Sequence, residues 1–151
     1  MAFDGGARAA GRVNFLGLDF AALDLDAALD IISARASLDA GFAYVATANV
    51  DHIVGLSREP GRRALYESAW LTLNDSRILQ SLAARAGLDL PCAAGADVAE
   101  LLLDRVIDPN EPITIIGGDK QAIAALARAY GLTDIRWHDA PMGLKHDAAA
   151  I

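Results

Sequence analysis

The sequence predicts an α/β protein: a parallel sheet with helices over both faces. Two observations carry the prediction. Short apolar runs alternate with segments of helical periodicity from one end of the chain to the other, the pattern of right-handed crossovers between parallel strands. In addition, 54% of the 151 residues are hydrophobic, rich in Ala and Leu, as suits a sheet covered on both sides.

In chain order, residues 1–11 are Gly- and Ala-rich and are expected to be a disordered tail, leaving 12–151 as the folded domain. Val13 to Phe20 reads as a first strand. In "DLDAALDIISARAS", Leu25, Ala28, Leu29 and Ile32 recur at helical spacing, with Asp24 or Asp26 as the cap. After Gly41, "FAYVATA" is a near-continuous apolar run of the kind parallel sheets bury on both faces. "DHIVGLSREPGRRALYESA" is helical but broken near Pro60, because proline removes an amide donor and clashes with the preceding turn. "WLTLND" is a short strand that stops at polar residues. "SRILQSLAARAG" places Ile78, Leu79, Leu82, Ala83 and Ala86 on one face, and Gly87 closes it. "GADVAELLLDRVID" is a further amphipathic helix, ended by "PNEP". The last third repeats the alternation: "PITIIGG" as a strand, "DKQAIAALARAYG" as a helix closed by Gly131, and "TDIRWHD" as a strand. No solenoid period or low-complexity linker interrupts it. One domain is expected, in two closely packed halves divided near residue 110.

The net charge of −7 is scattered along the chain rather than gathered in a tail. Nucleic acid is therefore not an expected partner, since phosphate-backbone binding needs a basic face. A single nucleotide is compatible with that charge, because a helix N-terminus and a glycine turn hold one diphosphate without a basic surface. The single Cys92 precludes an internal disulfide and suits a reducing compartment; it reads as a small buried residue. The absence of a signal-peptide pattern and of an apolar run long enough to span a bilayer makes a cytoplasmic location the expectation.

Ligands of open parallel sheets bind at the carboxyl ends of the strands. Three such ends are polar here: Thr47 to Asn49, Asn74 to Ser76, and Gly117 to Asp119. If the strands are adjacent, the three clusters converge on one crevice. Thr47 and Asn49 suit sugar hydroxyls or a phosphate oxygen; the alternative is that Thr47, Asn49 or Asp51 caps the helix beginning near His52. Asp75, between an apolar strand and an apolar helix, is placed for general-base work, or else is an N-cap with Ser76 sharing the task. "IIGGDK" resembles the glycine turn of a nucleotide-binding unit without the full dinucleotide spacing; Lys120 would touch a diphosphate or simply be solvated. His52, His138 and His146 lack metal-ligand spacing, so no metal is expected. Trp70 and Trp137 read as core or strand-end residues, and Arg62, Arg63 and Arg77 as phosphate partners or exposed helix residues. No Ser–His–Asp order or nucleophile elbow is present.

Together, "TANVDHIVGLSREPGRRALYESAWLTLND", "AGADVAELLLDRV", "ITIIGGDKQAIAALARAYG" and "APMGL" resemble, in order and spacing, the WecG/TagA/CpsF family of bacterial glycosyltransferases over residues 12–147. The resemblance implies a Rossmann-like domain. It also implies inverting transfer of a sugar from a UDP-sugar donor to a polyprenyl-diphosphate-linked acceptor in exopolysaccharide, capsule or cell-wall polymer synthesis, without a metal cofactor. It makes Asp75 the general base, puts Thr47 in the same pocket with Asn49, matches Gly95 and Asp97 to the family's Gly-Ser-Asp stretch, and gives Gly117 and Gly118 the departing UDP. The chain departs from the pattern in three ways. Ser76 follows the aspartate in place of glycine, Cys92 and Ala93 stand where an arginine is usual, and Ala96 replaces the serine. Family members run on by about one hundred residues, with an arginine-bearing segment linked to membrane docking. The sheet is accordingly expected to be incomplete on its C-terminal side. The short chain is expected to transfer sugar weakly or not at all, and to be poorly soluble or a homo-oligomer through its uncovered edge. A non-catalytic nucleotide-sugar-binding module and an NAD-binding fragment are the competing readings.

Overall fold

The computed structural model describes residues 11–140. The N-terminal tail up to residue 10, the loop from Pro141 and His146 lie outside the described residues. The architecture is mixed α/β, as expected for part of a Rossmann-like fold, with short parallel strand pairs and helices between them. Contacts divide the chain into two compact units, Met1–Leu102 and Leu103–Ile151.

The first unit opens with a correction. Val13 to Phe20 is not one strand but an antiparallel hairpin: β1 (Arg12–Phe15) pairs with β2 (Leu18–Ala21), Val13 opposite Phe20 and Phe15 opposite Leu18. The turn is Leu16-Gly17, with φ of 51° and 80°, the two positive values of a type I′ turn, whose twist matches that of the strands. Glycine adopts this region freely and leucine rarely does. Lacking an Asn-Gly or Asp-Gly mark, the turn was invisible in an otherwise strand-like run.

From β2 the chain enters α1 (Leu25–Ala36), capped by Asp24, whose carboxylate accepts from the Ala27 amide at 2.9 Å. β3 (Val45–Ala48) and β4 (Leu71–Asn74) then pair in parallel, Val45 opposite Leu71 and Thr47 opposite Leu73. Between them lie α2 (Val50–Arg58), a 3₁₀ turn at Pro60–Arg62 where the break was expected, and α3 (Arg63–Glu67). β2 lies against β4, and β4 is buried at all its positions. Period-two alternation then sorts the core into two layers. Leu71 and Leu73 join Ala21, Leu23, Ala28, Ala93 and Val98 on the side of α1 and α5 (Gly95–Arg105). Leu18, Phe20 and Ala48 pack on the other side against Leu56 of α2, Leu79 and Ala83 of α4 (Arg77–Arg85), and Leu90. Each fully buried Leu or Phe contributes roughly 1.5–3 kcal/mol relative to exposure, so these two layers fix where the polar ends of β3 and β4 emerge. Gly87, at φ +75°, turns the chain out of α4 as its spacing predicted.

In the second unit, β5 (Ile113–Ile116) and β6 (Ile135–His138) pair in parallel, Ile113 opposite Ile135, and α6 (Lys120–Tyr130) connects them. Gly131 closes α6 in the left-handed region, φ 67°. Among the described residues the strands form three two-stranded ladders, two parallel and one antiparallel, so the sheet is not parallel throughout.

Candidate active site

The carboxyl ends of β3 and β4 are adjacent: Ala48 pairs with Asn74, and the Asp75 amide donates to the Ala48 carbonyl at 2.9 Å. Helices α2 and α4 begin at these ends, and each requires an acceptor for its free amides. Asn49 supplies one for α2: its Oδ1 accepts from the His52 amide at 3.2 Å, and His52 Nδ1 accepts from the Asn49 amide, which closes a capping box. Of the three candidate caps Thr47, Asn49 and Asp51, the structure selects Asn49. Its Oδ1 is thereby engaged, and its amide NH₂ is the group left for a ligand. For α4 the cap is Ser76, whose Oγ accepts from the Leu79 amide at 3.2 Å. Asp75 is therefore not the cap. Its half-buried carboxylate enters no hydrogen bond or ion pair among the described residues.

Asn74 organises the surroundings of that carboxylate. It is 1% exposed, its Oδ1 accepts from the Ser76 amide at 3.0 Å, and its Nδ2 donates to the Pro91 carbonyl at 3.2 Å. Its own carbonyl accepts from the Ala93 amide at 2.9 Å. The segment Pro91–Ala93 is thus clamped across the end of β4, and the chain goes directly from it into α5. There Thr47 packs against the helix start: a Cβ on Gly95 would lie 2.8 Å from Thr47 Oγ1, so only glycine fits without movement. Asp97 stands exposed in the first turn of α5, where a carboxylate is favoured by the helix dipole.

Cys92 sits in the middle of this group. Burial pushes its thiol above the usual cysteine range. The Ser76 backbone N–H and Arg77 draw it back, whereas the Asp75 and Asp97 carboxylates raise it further. Sequence alone marks Cys92 only as a small buried residue; it is half-buried, and its position three residues before Gly95, in the loop entering α5, places it here. Thr47, Asn49, Asp75, Gly95 and Asp97 all belong to the first unit and are borne by the β3 and β4 ends and the start of α5. Such an arrangement offers a carboxylate and neutral hydrogen-bonding groups, which together suit polyhydroxylated ligands.

The glycine turn is in the second unit. Gly117 and Gly118 both have positive φ, 89° and 74°. Asp119 follows and caps α6, accepting from the Gln121 and Ala122 amides at 2.8 Å each. The Gly117 amide donates to the His138 carbonyl and its carbonyl accepts from Trp137 Nε1, both at 2.9 Å. A phosphate at this turn would meet Lys120 and the Gly118 backbone, and would have to displace the Asp119 carboxylate to reach the helix amides. Trp70 is half-buried before β4, with the Arg35 guanidinium 4.7 Å from its ring centroid. Among the described residues no group of three or more His, Cys, Asp or Glu could hold a metal ion, and no helix is long and apolar enough to cross a membrane.

Paired parallel strand ends, with a half-buried carboxylate where two helices begin, place the chain in the open α/β class, whose ligands bind at such ends. Residues 13–151 match the model of the glycosyl transferase WecG/TagA/CpsF family, and the chain belongs to that family. No curated protein matches it. Membership makes the chain a glycosyltransferase-family protein of polysaccharide synthesis, with a sugar donor and an acceptor as its substrates.

Proposed function

We propose that the chain transfers a sugar, with inversion, from a UDP-sugar to a polyprenyl-diphosphate-linked acceptor during exopolysaccharide, capsule or cell-wall polymer synthesis at the cytoplasmic face of the membrane, with Asp75 as general base. The observation that supports this reading is the division of labour at the end of β4: Ser76 caps α4, and the neighbouring carboxylate enters no hydrogen bond or ion pair among the described residues. In the proposed step the acceptor hydroxyl oxygen bonds to the anomeric carbon as the bond from that carbon to the UDP oxygen breaks. The hydroxyl proton passes to the Asp75 carboxylate, and UDP departs with the bonding pair.

Thr47 Oγ1 and the Asn49 amide would bind sugar or phosphate oxygens, Asp97 would accept from a sugar hydroxyl, and Gly95 would serve the site by letting Thr47 rest on the start of α5. In the second unit, the Gly118 backbone and Lys120 are proposed to meet a phosphate oxygen, the Gly117 amide and carbonyl being already bonded to His138 and Trp137. The charges are supplied by amides and side chains, and no metal is invoked. Asp75→Asn tests the reading: we expect transfer to fall by about 10²–10⁴-fold, the usual contribution of a positioned base, with UDP binding retained. Undiminished turnover by the variant overturns it; wild-type chain that binds UDP but transfers to no acceptor favours a non-catalytic module.

A further inference from the structure

We propose that the amino ends of β3 and β4, opposite the ends that bear Asp75, form a second binding site, for a small aromatic carboxylate held between Arg35 and Trp70. A cavity of about 330 Å³ opens there, lined by these two together with Ile32, Leu38, Phe42 and Val45. This is the small end of the range for ligand pockets, roughly 300–1,000 Å³, which are mostly apolar with a few placed polar groups. Its floor is firm: Ile32, Val45 and Trp70 pack on the core layer shared with α1, and the Trp70 amide donates to the Tyr44 carbonyl at 3.0 Å. Its rim is uncovered, for Leu38 is 50% and Phe42 94% exposed.

Two polar groups in this apolar setting are incompletely matched. Trp70 Nε1 is buried and meets no acceptor among the described residues; a buried donor left unmet costs free energy that an incoming oxygen recovers. Arg35 is the charged residue of the lining. Its guanidinium lies over the Trp70 ring, 4.7 Å from the centroid, and donates to the Gly41 carbonyl at 3.0 Å, but it enters no ion pair among the described residues. At the end of α1 the Ser33 and Arg35 carbonyls are already met by the Ser37 and Leu38 amides, so they do not compete for it. A carboxylate suits both groups. Its two oxygens match the guanidinium fork, and as it draws Arg35 off the indole, one of them accepts from Nε1. The attached ring fills the apolar part beside Leu38 and Phe42. A second copy of the chain fits less well, because two-fold pairing of this face would bring Arg35 toward its own counterpart.

The site is independent of the proposed sugar transfer. Phenylacetate is the probe, with phenylacetamide as its uncharged counterpart and acetate as the anion without a ring. Calorimetric titration of the full chain should give phenylacetate a Kd of about 1 mM, within reach of a ligand of roughly ten non-hydrogen atoms. Phenylacetamide should bind at roughly one-tenth that affinity or less, and acetate should not saturate. Arg35→Gln should weaken phenylacetate by roughly 10–100-fold, the usual worth of hydrogen bonds to a charged group, and leave phenylacetamide little changed. Trp70→Phe keeps a ring but drops the N–H, and should weaken phenylacetate by roughly tenfold. In a Trp137→Phe background Trp70 is the remaining one of two tryptophans, and its emission should follow the same titration curve. Circular dichroism checks the fold; if either tryptophan variant unfolds, Arg35→Gln decides. No saturable binding of phenylacetate, equal binding of the amide, or full binding by Arg35→Gln overturns the proposal. So does a ligand-free dimer that Phe42→Ser dissociates, which would give the face to a second copy. Asp75→Asn should bind phenylacetate like the wild type, whatever becomes of transfer; weakened binding there would put the acid at the candidate active site and overturn the proposal.

Discussion

Replacing Gly95 by alanine tests the join between β3 and α5. The added Cβ would lie 2.8 Å from Thr47 Oγ1, 2.9 Å from Cγ2 and 3.2 Å from Cβ. Turning the Thr47 side chain relieves one of the first two contacts but not both, and leaves the third, so backbone must move. Overpacking of this kind costs about 1–3 kcal/mol. Against it stands the lower chain entropy of alanine, about 0.5–1 kcal/mol inside a helix and less in a first turn. The balance is a loss of roughly 1–2 kcal/mol, or roughly 3–6 °C in Tm for a chain of this size. Urea and thermal denaturation of Gly95→Ala, Thr47→Ala and the double variant form a cycle. Thr47→Ala removes the two closest atoms, so the double variant should recover about 1 kcal/mol relative to additivity. A Gly95→Ala protein as stable as the wild type, or single effects that simply add, would show that Thr47 does not rest on the start of α5.

Ser76→Ala should cost about 1 kcal/mol by uncapping α4, whereas Asp75→Asn should change the unfolding free energy in urea by no more than about 0.5 kcal/mol; a larger loss for Asp75→Asn would make it structural. Asn74→Ala strands the Ser76 amide and the Pro91 carbonyl and should cost about 1–3 kcal/mol, read by thermal melting. The raised Cys92 pKa predicts slow carbamidomethylation at pH 8, relative to a free cysteine, with the rate climbing at higher pH. The sign for stability follows: the native thiol holds its proton more tightly than the unfolded one. Its contribution is therefore present below the unfolded pKa and lost as pH rises through the native value. Alkylation at the free-cysteine rate would refute the burial of the thiol, and with it the lesser effect of the Asp75 and Asp97 carboxylates.

The α/β alternation was legible because apolar runs and helical spacing report burial directly, and Leu71 and Leu73 lie in β4 as "WLTLND" indicated. The hairpin was not legible, since its turn rests on Leu16 in a backbone region leucine seldom adopts. At the site, residue types at the strand ends announced polarity but not its division. Choosing Asn49 over Thr47 and Asp51, or Ser76 over Asp75, depends on which side chain reaches back to the third amide, a matter of ångströms that composition does not carry. The weight on Asn74 was equally hidden, because its partners at Pro91 and Ala93 are distant in sequence.

That asparagine has a consequence for enzymology. An amide keeps the same charge from acid to alkali, so the clamp joining strand, helix and loop beside Asp75 does not loosen when protons are added or withdrawn. Below the pH at which Cys92, inside the clamp, ionises, an activity profile should therefore trace the ionisation of reacting groups, uncluttered by collapse of the frame that holds them.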